Sequence, residues 1–193
     1  MTYLAEHYPD AAQVVVVGVS AGSVAAPVYG GLVADLLPDA QVTVLADSSG
    51  AYPDDPAVNT QIFSRQWGAF DTMPDWDVNE HLTAADWGPP RFWVQAGLHD
   101  PGIVLARFDF ADDEVQTYFM ELIGAATTDL AASIDANEAT IEDAGVVQHS
   151  YTAPGHDHGV VSDNRFYTLE VDGVTLVDWV DALIAGEPLE DVR

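Results

Sequence analysis

Short apolar runs recur along the chain, and each follows a segment that has the composition of a helix. Three of these runs lack regular polar alternation: Val14 to Val17, Val42 to Leu45 and Ile103 to Phe108. A proline lies near the end of each preceding segment, where a helix stops because proline has no backbone N–H. Such runs are typical of strands buried on both faces of a parallel sheet. The alternation of helix and strand therefore predicts an α/β fold with a doubly wound, mostly parallel sheet.

Further elements extend this prediction toward the end of the chain. Val146 to Tyr151 predicts a fourth strand, and Asp113 to Ile134 predicts a helix because its apolar residues recur at helical spacing. Phe166 to Val171 predicts a strand, and the Asp172-Gly173 pair after it predicts a hairpin turn. Leu176 to Ile184 predicts a closing helix.

The stretch from Ala51 to Pro90 is rich in Asp, Pro and Trp. A stretch of this length without regular elements is unusual inside a compact domain unless it is a lid or a binding segment. Its indole rings have two interpretations: Trp67, Trp76 and Trp87 form a wall that binds a sugar or an acyl group, or they anchor the loop to the core. We expect residues 1–193 to form a single α/β domain with a Trp-rich lid or loop at about 51–90.

The amino-acid composition excludes several classes of function. Hydrophobic residues make up 48% of the 193 residues, which is enough to bury a core, so the high charge does not indicate disorder. The chain carries 32 acidic residues against 5 basic ones, for a net charge of −27. Nucleic acids and anionic membranes bind clustered Lys and Arg, so we expect neither as a partner. The absence of Cys excludes a disulfide frame and a thiolate metal site.

The acidity also bears on the solvent in which the protein works. Self-repulsion among the negative charges destabilises the compact state at low ionic strength, and salt screens it. The absence of Lys and the excess of Asp over Glu favour adaptation to high salt, and the simpler alternative is a solvated surface that aids solubility. We expect a cytoplasmic location in a high-salt organism for the chain as given, and secretion if a signal peptide lies upstream.

The residues Gly18-Val19-Ser20-Ala21-Gly22 form the most informative motif. A predicted strand precedes them and an Ala-rich helix, Ser23 to Leu37, follows, which is the context of a nucleophilic serine in Gly-x-Ser-x-Gly. A sharp turn there projects the Ser20 hydroxyl above the sheet, the two glycines leave room for neighbouring backbone, and the Ala21 N–H can donate to an oxyanion. The alternative is a Gly-rich turn in which Ser20 is a small filler or a helix N-cap.

A serine nucleophile needs a histidine base and an acid that orients it, in the chain order Ser, acid, His for α/β-hydrolases. The loop Gly155 to Gly159 follows the predicted fourth strand at its C-terminal end, where catalytic groups of such sheets collect. His156 or His158 is therefore the predicted base. The remaining histidines after Ser20 are assigned to helical surfaces or to strand packing: His81, His99 and His149.

The acid is expected after an intermediate strand. Ile103 to Phe108 is that strand, and Asp109, Asp112 and Asp113 come after it. Position singles out these three acids, and their spacing leaves the choice among them open.

The His-x-His spacing in the same loop also permits a metal site with Asp157 and Asp163. The rest of the chain offers no matching pair of ligands. We therefore expect no metal.

Taken together, these segments resemble the pectin acetylesterase and Notum family of carboxylesterases, as a bacterial or archaeal member that is N-terminally short. The similar segments span most of the chain: Gly18 to Gly22 with Ala25-Ala26-Pro27, Val44 to Gly50 with its Asp-Ser pair, Asp113 to Gln116, Gly155 to Val161, and Phe166 to Val180. The resemblance implies an α/β-hydrolase type of sheet and the hydrolysis of carboxylic esters. Removal of acetyl groups from a polysaccharide is the namesake case.

The resemblance also implies roles for individual residues. Asp113-Glu114-Val115-Gln116 is similar to the family's Asp-x-x-Gln, whose Asp is the acid of the triad, with Gln116 as motif support. The loop after the fourth strand is similar to the catalytic-His loop, which favours His158 as the base and leaves His156 as second choice. The implied triad is Ser20, Asp113 and His158, with Ala21 as oxyanion donor and no cofactor.

Two departures from the family pattern are visible. The first is local: Val19 precedes Ser20 and Ser23 follows Gly22, where the family usually has Cys before the serine or Gly-Gly after Ser-Ala. The second is the start of the chain, about a dozen residues before the nucleophile strand. The family has an upstream segment with earlier strands and a Gly-rich loop that supplies other oxyanion-hole N–H groups. We therefore expect a partial domain that lacks its N-terminal strands and leaves the first strand partly uncovered.

The predicted function is that of a serine carboxylesterase that hydrolyses acetyl esters through an acyl-enzyme, with a small ester or an acetylated glycan as substrate. The alternative is a truncated or degenerate hydrolase-fold protein that binds a ligand or partner without turnover. A third class is another acyl hydrolase, such as a peptidase or lipase. The acyl acceptor and the oligomeric state do not follow from the sequence.

Overall fold

The protein is described by a computed structural model that covers residues 1–193. Four parallel strands form one sheet in the order β1-β2-β3-β4. These strands are β1 (Gln13–Val19), β2 (Gln41–Asp47), β3 (Val104–Phe110) and β4 (His149–Ala153). The prediction of an α/β fold with a parallel sheet is confirmed.

Seven α-helices, a π-helix (Asn59–Gln66), four short 3₁₀ turns and a small hairpin accompany the sheet. The helices are α1 (Thr2–His7), α2 (Ala21–Leu36), α3 (Pro56–Val58), α4 (Pro89–His99), α5 (Glu114–Leu122), α6 (Leu130–Asp143) and α7 (Leu176–Ala185). The hairpin pairs β5 (Glu170–Val171) with β6 (Val174–Thr175) in antiparallel fashion. No helix is both long and apolar enough to cross a membrane.

Helices cover both faces of the sheet. On one face, Phe108 and Tyr151 pack with Trp179 and Leu183 of α7. On the other face, β-strand residues such as Val44 pack with residues of α2, α4 and α6: Ala26, Trp93 and Ile141. Burial of apolar area in these two layers is the main force that holds the helices to the sheet.

The strand register brings the C-terminal ends of all four strands to one edge. Val19 pairs with Asp47, Asp47 with Phe108, and Phe108 with Tyr151. Side chains that follow these positions therefore collect in the same region, where ligands of open α/β sheets bind.

The two outer strands of the sheet differ in how they are covered. The C-terminal tail runs along β4, where Val192 exchanges backbone hydrogen bonds with Ser150 and Thr152. Strand β1 pairs only with β2, and the side chains of Val15 and Val17 are 38% and 50% exposed. The prediction that this run is buried on both faces is wrong, because the exposed residues alternate along β1 and therefore lie on one face, which no packed element covers. This exposure agrees with the expectation that the first strand is partly uncovered.

Three other predicted elements have different bounds. The fourth strand begins at His149, since Val146 instead packs in the helix-covered core. The helix predicted from Asp113 to Ile134 is two helices, α5 and α6, and the break includes Gly124 in the left-handed conformation at φ 79°. Strand Phe166 to Val171 shrinks to β5, because residues 164–167 form a 3₁₀ turn.

The hairpin turn is confirmed at Asp172-Gly173. Both residues have positive φ, 52° and 84°, as a two-residue turn of type I′ requires.

Residues 51–90 fold into short helical turns rather than an open loop. Trp76 and Trp87 are buried in a cluster with residues of α2 and α4. The indole N–H of Trp76 also donates to Asp35 (2.9 Å), and its ring stacks on His99. The anchoring interpretation is therefore correct for these two rings, whereas Trp67 is 56% exposed.

Candidate active site

Ser20 occupies a sharp turn between β1 and α2. Its backbone has φ 55° and ψ −122°, a conformation that costs a non-glycine residue about 1–3 kcal/mol and is enriched at functional sites. Ser20 occupies the N-cap position of α2, but its hydroxyl makes no capping hydrogen bond, so it does not act as a side-chain cap. The strained turn is instead fixed by its backbone, because the Ser20 N–H donates to the carbonyl of Asp47 (2.8 Å).

The two glycines of the motif have different roles. A Cβ on Gly18 would lie 2.3 Å from the carbonyl oxygen of Gly22, so the close backbone approach predicted there is confirmed. A Cβ on Gly22 would meet nothing within 4 Å, so the same prediction is wrong for that position. Ser23 is fully buried and its hydroxyl donates to the Ser20 carbonyl (2.6 Å), which accommodates this departure from the family motif.

Ala21 is the first residue of α2 and is exposed. The N–H groups of the first helical turn have no acceptor within the helix, so the Ala21 N–H is free to bind an external oxygen. The role of Ala21 as an oxyanion donor stays a prediction.

His158 and Asp113 form a close pair. The His158 Nδ1 lies 2.7 Å from Asp113 Oδ2, and the Asp113 side chain is fully buried. Asp113 also caps α5, because its Oδ1 accepts the N–H groups of Val115 and Gln116 (both 2.9 Å). These bonds fix the carboxylate and thereby the plane of the imidazole ring.

The second ring nitrogen of His158 is unpaired. Its Nε2 is buried and has no hydrogen-bond partner in the protein. The loop around it lies against the nucleophile turn, since a Cβ on Gly159 would be 3.1 Å from Val19 Cγ1. The nucleophile turn and the loop that carries His158 are therefore adjacent, and the Ser20 hydroxyl makes no hydrogen bond with His158 in this conformation.

The other candidates lie elsewhere. His156 is exposed, and its Nδ1 faces the carbonyl of Asp112 at 3.3 Å rather than a carboxylate. Asp157 and Asp163 pair with Arg165, and no group of three or more His, Asp or Glu side chains converges in the arrangement of a metal site. Asp112 is exposed beyond the end of β3, whereas Asp109 lies inside β3 rather than after it.

Gln116 links two buried carboxylates. Its Nε2 donates to Asp109 Oδ1 (2.9 Å) and to Asp113 Oδ2 (3.2 Å), and its Oε1 accepts the Ala51 N–H (3.1 Å). The motif residue suggested by the family resemblance thus contacts the acid that pairs with His158.

Asp109 is a buried acid with an unusual environment. Loss of hydration raises the pKa of its carboxyl from 3.8 to about 6, although nearby Arg107 opposes the rise. Burial also lowers the pKa of the Arg107 guanidinium, which lies 2.7 Å from the Glu138 carboxylate. Burial raises the pKa of Tyr52 to about 12, and the negative charges of Asp113 and Asp109 contribute to this rise.

Two residues whose roles the sequence did not indicate lie at the end of β2. Asp47 and Ser48 are fully buried, and both contact the loop that carries His158. The Asp-Ser pair was visible as a family-like segment, but its contacts run to backbone groups more than 100 residues away and leave no local pattern.

A large cavity lies away from Ser20. It has a volume of about 730 Å³ and lies between residues 51–62 and the α5–α6 region, with Met120 and Asn137 in its wall. Neither Ser20 nor His158 lines it.

Comparison with protein-family models and with curated proteins finds no match for this chain.

Proposed function

We propose that this protein is a serine carboxylesterase of α/β-hydrolase type. The observation that most supports this proposal is the strained turn at Ser20 beside the pair that His158 forms with Asp113. The Nε2 atom of His158 has no hydrogen-bond partner. Strain is kept where the surrounding structure needs it, and an oriented imidazole with one free nitrogen is what a serine hydroxyl needs as a base.

In the proposed reaction, His158 Nε2 takes the proton of Ser20 as the hydroxyl oxygen attacks the ester carbonyl carbon. The resulting oxyanion accepts the N–H of Ala21. The tetrahedral intermediate collapses, and the protonated imidazole returns its proton to the leaving alcohol. A water molecule then repeats the sequence on the acyl-enzyme and releases the carboxylic acid. Asp113 orients the imidazole and stabilises its charged form throughout.

Two features support short acyl groups, and acetyl esters in particular. Ser20 does not line the cavity of about 730 Å³, so that cavity is not positioned to hold a long acyl chain at the nucleophile. Ala21 and Gly22 are exposed, which gives a bulky acyl acceptor access to the turn. The resemblance to the pectin acetylesterase and Notum family points to an acetylated glycan as such an acceptor.

Labelling with a fluorophosphonate probe tests this proposal. Wild-type protein in molar salt should be labelled at Ser20, Ser20→Ala should not, and His156→Ala should be labelled like the wild type. Acetyl esters should be hydrolysed faster than long-chain esters in the same buffer. Absence of labelling in the wild type would overturn the esterase proposal.

The second candidate is a hydrolase-fold protein that binds a ligand or partner without turnover. The lack of a Ser20–His158 hydrogen bond favours it, although such bonds often form only when substrate is present. A wild-type protein that resists both labelling and ester hydrolysis is the result that would select this candidate.

A further inference from the structure

The two candidate reacting side chains come from opposite edges of the sheet. Ser20 follows β1 and His158 follows β4, and the strands β2 and β3 lie between them. The loop after β4 must therefore cross the end of the sheet to bring its imidazole near Ser20. To stay in this position, the loop needs contacts with residues at the ends of the intervening strands, β2 and β3.

Asp47, the last residue of β2, contacts both sides of this gap. Its backbone carbonyl accepts the Ser20 N–H (2.8 Å). Its Oδ2 accepts the N–H groups of Val160 and Val161 (2.8 and 2.9 Å), just after His158 in the chain. One residue thus binds the nucleophile turn through its main chain and the His158 loop through its side chain.

Ser48 adds a third bond to the same loop. Its hydroxyl accepts the N–H of Gly159 (2.8 Å) and donates to Asp47 Oδ1 (3.0 Å). Three consecutive N–H groups of the loop, at residues 159–161, are therefore held by this Asp-Ser pair. Because both side chains are fully buried, water cannot replace these bonds.

The backbone of Ser48 argues for a specific need for its hydroxyl. Its φ is 68°, in the left-handed region where glycine is the favoured residue. A serine at this position bears the conformational cost that glycine would avoid. The compensating feature is the hydroxyl, which bridges Asp47 and Gly159.

We infer that Asp47 and Ser48 are positioning residues that set the distance between the Ser20 hydroxyl and His158 Nε2. The expected effect on catalysis rests on the proposed esterase function, whereas the expected effect on the imidazole does not. Displacement of a reacting group by about 1 Å costs about 10²-fold in rate, so loosening of the loop should be visible kinetically.

Two substitutions at Ser48 separate positioning from backbone strain. Ser48→Gly removes the hydroxyl and relieves the strain, and Ser48→Ala removes the hydroxyl and keeps the strain. If the hydroxyl positions His158, both variants should lose about 10- to 10²-fold in kcat for an acetyl ester with little change in KM, and Ser48→Gly should melt within about 4 °C of wild type. If Ser48 only shapes the backbone, Ser48→Gly keeps wild-type kcat, and this result would overturn the inference.

A matched control is Ser49→Ala. Ser49 is the buried neighbour of Ser48, and its side chain makes no hydrogen bond with the His158 loop. This variant should keep wild-type kcat. Asp47→Asn should behave like Ser48→Gly in rate, because an amide cannot accept all three hydrogen bonds that reach the carboxylate.

A spectroscopic readout keeps the test independent of turnover. The imidazole resonances of ¹⁵N-labelled His158 report its contact with Asp113, and they should shift or broaden in Ser48→Gly but not in Ser49→Ala. Unchanged resonances in Ser48→Gly would refute the positioning role, whether or not the wild type is an esterase. A wild type without ester hydrolysis whose imidazole signal still depends on Ser48 would refute only the proposed function.

Discussion

Replacing Asp109 with Asn should change how the stability of the fold depends on pH. Burial raises the pKa of this carboxyl to about 6 in the folded protein, against an ordinary value of 3.8 in an exposed chain. Between these two pH values the folded state holds one proton more than the unfolded state at this site. The free energy of unfolding therefore falls as the pH rises through this range.

The size of the effect follows from the same two values. A rise in pKa from 3.8 to about 6 corresponds to about 3 kcal/mol, at about 1.4 kcal/mol for each tenfold change in proton affinity. The penalty is absent below about pH 3.8 and complete above about pH 6. The environment that sets it includes Arg107, which favours the charged form, and Asp47, which opposes it.

The Asp109→Asn substitution would also leave a constant cost, because Asp109 Oδ2 has no hydrogen-bond partner and an amide nitrogen at that position would be a buried, unpaired donor. This cost is the same at every pH, so it does not affect how the difference in unfolding free energy changes with pH. We expect the difference in unfolding free energy between wild type and Asp109→Asn to change by about 2 kcal/mol from about pH 4 to about pH 7, in favour of the variant at the higher pH, because part of the penalty is already present at pH 4.

Denaturant melts of both proteins at several pH values in molar salt would measure this difference. Titrating groups that do not interact with Asp109 are common to the two proteins and cancel in the comparison. Parallel stability curves across this range of pH would show that Asp109 titrates normally, and the assignment of a desolvated acid beside the candidate site would be wrong.

The remaining predictions concern the nucleophile turn, the acid, the surface charge and the open edge. Gly18→Ala should abolish probe labelling because its Cβ would lie 2.3 Å from the Gly22 carbonyl oxygen, whereas Gly22→Ala, with nothing within 4 Å, should retain it. Asp113→Asn should lower kcat by about 10⁴-fold while the protein stays folded, as measured by ester hydrolysis and circular dichroism. The melting temperature should rise from dilute buffer to molar salt, because salt screens the net charge of −27, and a flat response would contradict salt adaptation. Sedimentation velocity in molar salt should detect self-association through the uncharged β1 edge, and Val17→Lys should reduce it; equal association of both proteins would exclude this edge.

Local patterns predicted the elements whose neighbours lie close in the chain. The first three strands and the closing helix are present because apolar runs, prolines and helical spacing act over a few residues. The placement of β1 at the edge of the sheet depends on strand order, which no local pattern encodes. The break at Gly124 had a signal in the sequence, because helices often end at a glycine that adopts positive φ, as Gly124 does. The helical spacing of the apolar residues on both sides obscured this signal.

The residues of the candidate site also divide into those that a local pattern predicts and those that depend on distant contacts. The turn at Ser20 was predictable because a strand, a compact motif and a helix follow one another directly. The residues alone left His156 and His158 open, and the difference between them is one of direction: His158 faces the Asp113 carboxylate, and His156 faces a backbone carbonyl. The direction of a side chain in a loop depends on contacts with distant segments, here the Asp47 and Ser48 pair.

Burial, rather than composition, distinguishes four acids of this protein from the others. Of its 32 acidic residues, four are buried: Asp47, Asp109, Asp113 and Glu138. Three of them have several or charged partners: Asp47 accepts backbone and hydroxyl donors, Asp113 accepts helix N–H groups and pairs with His158, and Glu138 pairs with Arg107. Asp109 accepts hydrogen bonds at Oδ1 alone, from the Gly50 N–H and the Gln116 side-chain amide. Asp109 is the least compensated of the four, which explains why its pKa is raised although an arginine lies nearby. An acidic surface tolerates the gain or loss of one carboxylate. Each of these four buried acids, in contrast, has specific partners, so we expect substitutions of these four to have the larger effects on this protein.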